Sequence, residues 1–301
     1  MRKSLGQFRI GFLSGPLMLL ALFAVVSAHG ANRYSASGLV VQIDRAQRSL
    51  VVSCDSIPNV MDAMVMPFSV RDAKDLDNLQ PGARISFTIV TSTDSSYAES
   101  IRIVAFESLE NDPSEARRLK ILEDAMKPSH SSTALSVGQP VPDFSLADQN
   151  GEQVALSKFQ GKVVGITFVY VRCPLPNYCF RLSSNFGRLQ QRFKSVMGRD
   201  LILLTVIIDP VHDLPDAVKK YAQTWHADPQ SWHFLIGPPP DVQSVCARFD
   251  MNYYPDEALL VHSFHTVVID RKGRLAANIE GNDFTAQQLG DLVKSVMQRA
   301  D

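Results

Sequence analysis

Two cysteines lie six positions apart in the segment VYVRCPLPNYCFRLS, residues 169–183. Cys173 follows a run of strand-forming residues, and functional groups usually collect at the carboxyl edge of a sheet. Pro174 and Pro176 exclude a regular helix between the cysteines, so the sulfur of Cys179 must reach Cys173 through a shaped turn. A local disulfide over so short a loop would stabilise by only roughly 2 kcal/mol. Thiolates also bind soft metals and exchange disulfides, so metal binding and redox chemistry both stay open for this pair.

A second group of soft donors lies in the segment SCDSIPNVMDAMVMPFSV, residues 53–70. Methionine usually fills cores, so packing is the ordinary role of Met61, Met64 and Met66. Met64 and Met66 share one face of an extended chain, and Cys54 in the preceding strand can meet them across a turn. Thioether and thiolate clusters select Cu(I) over zinc and hard cations. A cluster of Cys54, Met64 and Met66 would therefore suit Cu(I), and Met61 lies nearby in the sequence.

Two modules must position these residues. Short alternating apolar runs separated by turn-like segments such as DRAQR and QPGAR predict a small all-β, antiparallel barrel. Strands and helices alternate after residue 137, which predicts an α/β layer fold with a central sheet. We predict a signal peptide or amino-terminal anchor at 1–28, the barrel at 35–106, a short helix and Ser-rich linker at 107–136, and the α/β domain at 137–301.

The amino terminus predicts export. Arg2, Lys3 and Arg9 precede an apolar stretch that ends in Val-Ser-Ala at Ala28, as in a secretory signal. An uncleaved membrane anchor is the alternative, because the apolar run is long for a signal. Both interpretations place the remainder in the periplasm or on the outer face of the inner membrane, where disulfides persist.

The charge balance argues against nucleic acid as a partner. The 301 residues include 30 basic and 31 acidic side chains, and no basic block occurs along the chain. The hydrophobic fraction of 45% is that of an ordinary globular protein with enough length for two cores. Cys246, in the helical-looking DVQSVCARFD, is interpreted as a buried structural thiol.

The second module resembles the SCO/SenC copper proteins, a thioredoxin-like family that serves cytochrome c oxidase assembly. The segments that carry the resemblance are VGQPVPDFSLADQNGEQVALSKFQGKVVGITFVYVRCP, LTVIIDPVHDLPDAVKKYAQTW, WHFLIGP and VHSFHTVVIDRKGRL. It implies a thioredoxin-like fold and copper ligation by Cys173, Cys179 and His262. Two features depart from the family pattern: five residues separate the cysteines where three are typical, and Val261 replaces an Asp that often precedes the histidine.

Three other residues of this module are given no ligand role. His265 is an additional histidine beside the family position. Asp209 and Asp213 are interpreted as capping and turn residues around Pro210 and Pro215.

The first module resembles the copper-binding barrels related to CusF over residues 37–104. The family pattern is a histidine, then Ile-Pro, then Met-x-Met before Pro-Phe. Met64 and Met66 take the methionine positions, and Cys54 replaces the histidine with another soft ligand.

Together these observations predict an exported copper chaperone. The barrel would hold Cu(I), and the second module would pass copper, as Cu(I) or Cu(II), to an acceptor such as cytochrome c oxidase subunit II. The resemblance implies that the reduced dithiol takes the metal, since only free thiolates ligate, so a thiol reductant protein is a second expected partner.

The same residues are compatible with other functions. A thiol–disulfide oxidoreductase acting on a copper-site partner would use Cys173 and Cys179 as its attacking and resolving thiols. A periplasmic copper-resistance buffer is a further alternative. A peroxiredoxin-type peroxidase is disfavoured because Tyr170 stands where such enzymes carry Thr or Ser.

Overall fold

The computed structural model describes residues 32–91, 96–104, 134–174, 176–256 and 259–299. The predicted signal or anchor segment, and the predicted helix with nearly all of its linker, lie outside these residues. Within the described part of the chain, no helix combines the length and apolar character needed to cross a membrane.

The first module is a closed five-stranded barrel with the strand order β1-β2-β3-β5-β4. Its interior is filled by side chains that alternate along the strands, including Leu50, Phe68 and Ile85. All neighbouring strands pair antiparallel except β3 and β5, which pair in parallel, so the antiparallel prediction is wrong at this closing seam. The strands are β1 (Asn32–Asp44), β2 (Ser49–Cys54), β3 (Met64–Val70), β4 (Arg84–Thr91) and β5 (Ser96–Ile103).

The second module is built on a five-stranded sheet with the order β10-β9-β8-β13-β14. Strands β8, β9 and β10 are parallel, whereas β13 is antiparallel to both of its neighbours. Every residue of β8 and β9 is buried, which explains their continuous apolar sequences. The strands are β6 (Ser145–Ala147), β7 (Gln153–Ala155), β8 (Val163–Val169), β9 (Leu201–Ile207), β10 (Trp232–Leu235), β11 (Tyr253–Asp256), β12 (Leu259–His262), β13 (His265–Ile269) and β14 (Leu275–Glu280).

In the described part of the second module, four α-helices accompany this sheet: α1 (Arg181–Arg192), α2 (Pro215–Thr224), α3 (Pro239–Ala247) and α4 (Ala286–Gln298). Helix α1 begins several residues before the predicted segment NFGRLQQRFKSV, because the turn that contains Cys179 runs directly into it. Helix α4 starts where expected, at a capping box. The Thr285 hydroxyl accepts from the backbone N–H of Gln288, and the Gln288 side-chain oxygen accepts from the backbone N–H of Thr285. Cys246 is buried in α3, as predicted.

The barrel docks on α4 and β14. Leu39 of β1 is fully buried and belongs to the hydrophobic core of the second module. The Ser53 hydroxyl of β2 donates to the Asp291 carboxylate of α4 at 2.7 Å. Gly82, with φ of +95°, passes close to Ile279 of β14, where a Cβ atom would lie 3.2 Å from that side chain. No sequence pattern had indicated this contact between the modules.

Replacement of Gly38 by Ala is expected to destabilise the barrel. A Cβ atom at this position would lie 2.6 Å from the Ser53 carbonyl oxygen and 2.9 Å from the Cys54 Cα, and backbone atoms cannot move aside cheaply. We expect a loss of about 1–3 kcal/mol in the free energy of unfolding, measured by urea titration.

Gly187→Ala is the matched control, since the nearest atom to a Cβ there is the Trp232 ring at 3.9 Å. This change lies within α1 and should leave the stability unchanged or raise it by roughly 0.5–1 kcal/mol. Equal effects of the two substitutions would contradict the steric argument.

Candidate metal centres

The first candidate centre begins where β8 leaves the sheet. After Val169 the chain runs through Cys173 to a wide helical turn, Pro176–Phe180, in which Tyr178 has the non-helical dihedral angles φ −112° and ψ −107°. Wide turns of this kind often occur at functional sites. The turn brings Cys179 back towards the sheet without a regular helix, as the two prolines predicted.

The structure places Cys179 against His262. The distance between Cys179 Sγ and His262 Nε2 is 3.9 Å. His262 Nδ1 lies 2.8 Å from the carbonyl oxygen of Ser263, and because a carbonyl only accepts, Nδ1 carries the proton and Nε2 faces the thiol with its lone pair. Burial lowers the pKa of His262 to about 4, so the imidazole is in its neutral, metal-binding form.

Cys173 contacts the same thiol. A hydrogen bond with Cys173, together with burial, raises the pKa of Cys179 well above the ordinary value for cysteine. Cys179 is almost fully buried, whereas Cys173 is half-buried. All four cysteines are in the thiol form.

The distances fit a single soft metal ion. Bonds of about 2.3 Å to sulfur and about 2.0 Å to imidazole nitrogen allow one ion to bridge two such atoms up to about 4.3 Å apart. The separation of 3.9 Å between Cys179 and His262 falls within this reach. The described residues contain no preformed group of three His, Cys, Asp or Glu ligands, so completing the set with Cys173 requires a further approach of the side chains.

Aromatic side chains enclose the histidine. The Tyr170 ring meets His262 edge-on at 5.7 Å between centroids, and Phe264 lies at 4.4 Å. Burial and the neighbouring Cys173 raise the pKa of Tyr170, so its hydroxyl stays protonated beside the cysteines. Sequence reasoning had used Tyr170 only to argue against a peroxidase. Its position three residues before Cys173, at the same strand end, was the available signal.

An acidic pair anchors the start of the cysteine loop. Asp213 Oδ2 accepts from the backbone amide of Val171 at 2.6 Å, and Asp209 Oδ2 accepts from the Arg172 guanidinium at 2.6 Å. Neither carboxylate caps α2, whose first turn has no side-chain cap. The predicted capping role is therefore wrong, and Asp209 and Asp213 instead hold the chain just before Cys173.

His265 packs inside the second module and contacts β14. Its side chain is buried, and its Nδ1 lies 2.9 Å from the side-chain oxygen of Asn278 on β14. Burial lowers the pKa of His265 and keeps the ring neutral.

The second candidate centre lies at one end of the barrel. Cys54 of β2 is directly opposite Met64 of β3, and Met66 is opposite Val52, so these three side chains share the inward face of the two strands. Cys54 is buried and Met64 is 47% exposed, so the thiol lies below a thioether at the surface. Met61 packs against the barrel core from the short loop between the strands.

The Cys54 thiol is held protonated. Burial, and to a smaller extent the charge of Asp55, raise its pKa to about 12. A metal that binds here must displace this proton, which favours an ion with high affinity for thiolate.

The chain belongs to the SCO1/SenC family, whose model matches residues 133–298. Residues 33–103 match the model described as copper binding periplasmic protein CusF. These matches confirm both predicted resemblances and, with the barrel and the mixed sheet, the predicted fold class of a thioredoxin-like domain joined to a small all-β barrel. Copper is the metal that the two matches support.

Curated relatives are similar over part of the chain. A SCO2-like protein of Rickettsia typhi is 28% identical over 140 residues, 44% of this chain and 65% of that protein. A SCO2-like protein of Rickettsia prowazekii is 27% identical over 194 residues, 60% of this chain and 82% of that protein. Among solved structures, Arabidopsis thaliana ScoI with copper bound is 23% identical with a TM-score of 0.46, covering 55% of this chain and all of that one.

Loss of the Asp213 carboxylate should loosen the cysteine loop. In Asp213→Ala the Val171 amide and the Arg172 guanidinium lose a buried partner, which should cost about 1–3 kcal/mol of stability. We expect faster amide hydrogen exchange across residues 171–180. Asp77→Ala, at an exposed barrel position, is the control and should leave the loop unchanged. Unaltered exchange in Asp213→Ala would show that the carboxylate does not anchor the loop.

Proposed function

We propose that this chain is an exported copper-binding protein that delivers copper for cytochrome c oxidase assembly through Cys173, Cys179 and His262. The observation that carries the proposal is the neutral Nε2 of His262 facing the Cys179 sulfur at 3.9 Å, in the domain that matches the SCO1/SenC family. Two thiolates and one imidazole form a soft donor set suited to copper.

The two thiols differ in exposure, which gives each one a role. Cys179 is buried, and the half-buried His262 is held by its Nδ1 contact with the Ser263 carbonyl, so these two residues form the fixed side of the site. Cys173 is the more accessible thiol, and a partner would reach a bound ion from its side. Copper therefore enters and leaves past Cys173, after both thiols have been reduced and have lost their protons.

Two partners follow from this chemistry. One is a copper acceptor, for which cytochrome c oxidase subunit II is our candidate, and the other is a protein that reduces the thiols. A solved relative is described as BsSco, a member of the Sco family of cytochrome c oxidase assembly proteins, with a disulfide switch. The contact between Cys173 and Cys179 supports the same kind of switch here.

The barrel supplies a second Cu(I) site at Cys54, Met64 and Met66. Support comes from the strand register and from the match of residues 33–103 to a copper binding periplasmic protein. That description also supports a periplasmic location, reached through a signal peptide or anchor at residues 1–28. A related solved structure is described as a lipoprotein, which agrees with attachment at a membrane surface. We assign the barrel domain to residues 35–106 and the thioredoxin-like domain to residues 137–301.

Copper stoichiometry tests the two sites. The reduced protein should bind two equivalents of Cu(I) added anaerobically, and Cys173→Ser, His262→Ala and the double variant Met64→Leu/Met66→Leu should each bind one. His226→Asn is the control, because this exposed histidine has φ of +50°, which Asn tolerates, and it should keep both equivalents. If one of these ligand variants still binds two equivalents of Cu(I), the substituted residue is not a copper ligand.

A thiol–disulfide oxidoreductase is the second candidate function, favoured by the direct contact between the two sulfurs. The His262→Ala variant separates the two activities, since thiol exchange does not need an imidazole lone pair. We expect it to lose copper at this site while it reacts with a small disulfide substrate at the rate of the wild type. Parallel loss of both properties would mean that His262 supports the thiol chemistry itself.

A further inference from the structure

The segment that leads into α4 contacts both the cysteine loop and the barrel. The Asn282 side chain donates to the backbone carbonyl of Asn177, inside the cysteine loop, at 2.7 Å. The next residue, Asp283, has its carboxylate 3.8 Å from the guanidinium of Arg84 on barrel strand β4. Asn282 is 5% exposed, so its hydrogen bond is shielded from competing water. Adjacent residues of one short segment therefore touch the cysteine loop and the barrel.

On the barrel side the contacts flank Cys54. Arg84 donates to Asp55 Oδ2 at 3.0 Å. Gln288 donates to Asp55 Oδ1 at 2.8 Å and to the backbone carbonyl of Ser53 at 3.2 Å. Ser53 and Asp55 are the two chain neighbours of Cys54, so α4 holds the backbone before the predicted ligand and the carboxylate after it.

On the other side the segment is tied to the turn that positions Cys179. Asn177 lies two residues before this cysteine, and the non-helical Tyr178 stands between them. The Asn185 side chain of α1 also donates to the carbonyl of Phe284, at 3.3 Å. Because this turn sets the position of Cys179 beside His262, any shift of the turn when an ion binds would act on the carbonyl that Asn282 holds.

We propose that residues 282–288 couple the two copper sites, so that copper at one site changes the copper affinity of the other. The inference rests on both sites binding copper, as proposed above. Asn282, Asp283 and Arg84 act here as positioning residues that supply no metal ligand. Asn282 touches the loop, and Asp283 contacts Arg84, which donates to Asp55 beside Cys54. Such a coupling is reciprocal: barrel occupancy must change the affinity of the cysteine–histidine site by the same factor as the reverse.

Stepwise Cu(I) binding constants of the full chain test this coupling. They are measured anaerobically on the reduced protein by competition with bicinchoninate, a chromophoric Cu(I) chelator. The reference proteins are Cys173→Ser/Cys179→Ser, which keeps only the barrel site, and Met64→Leu/Met66→Leu, which keeps only the other. We expect the product of the two wild-type constants to differ from the product of the single-site constants by at least about fivefold.

The double variant Asn282→Ala/Asp283→Asn tests the connection itself. In this variant the product of the two binding constants should equal the product of the single-site constants, so that their ratio is one. Each single site should still bind copper. Asp283→Asn alone changes a partly exposed side chain and, should the double variant fail to fold, is expected to reduce the ratio by itself. The control is Arg33→Met, which removes a different barrel ion pair, with Glu99, and should keep the wild-type ratio.

The outcomes separate this inference from the proposed function. Fewer than two equivalents of copper in the wild type would overturn the two-site function and the coupling with it. Two equivalents with a ratio of one would overturn the coupling alone. If the variant with substitutions at Asn282 and Asp283 keeps the wild-type ratio of binding-constant products, residues 282–288 do not couple the two sites.

Discussion

The antiparallel pairing of β8 with β13 is the constraint on which the cysteine–histidine arrangement depends. Thr167 is paired with Thr266, so the carboxyl end of β8 lies beside the amino end of β13. The chain leaves β8 towards Cys173 and enters β13 just after His262. The strand pairing therefore brings both ligand-bearing segments to one edge of the sheet. Burial of every residue in β8 keeps this edge in place.

Sequence periodicity located most of the framework. Continuous apolar runs mark the buried strands β8 and β9, and the position of Cys173 at a strand end follows from the first of these. The role predicted for His262 came from the family resemblance alone, because an isolated histidine in a strand carries no local signal. Its ring tautomer and its distance from Cys179 depend on the backbone at Ser263 and on the turn after Pro176, which are tertiary features.

In the barrel too, local sequence patterns predicted the strand faces, whereas the contacts between distant residues were not predictable. The period of two along a strand correctly placed Met64 and Met66 on one face, and the register then put Cys54 opposite Met64. The parallel seam between β3 and β5 and the docking of the barrel on α4 join residues far apart in sequence. Neither leaves a pattern within a short window, so the contact of Ser53 with Asp291 could be found only from the structure.

The five residues between Cys173 and Cys179 are a departure from the family spacing that the local structure absorbs. Additional residues in a regular helix would rotate the second cysteine away from His262, because each residue turns the helix by about 100°. Here Pro174 lies in a non-helical segment, and the wide turn Pro176–Phe180 takes up the remaining length before α1 begins. Cys179 consequently meets the His262 nitrogen even though the loop is longer. The longer spacing changes the path of the chain between the two sulfurs, but Cys179 still lies next to the His262 imidazole.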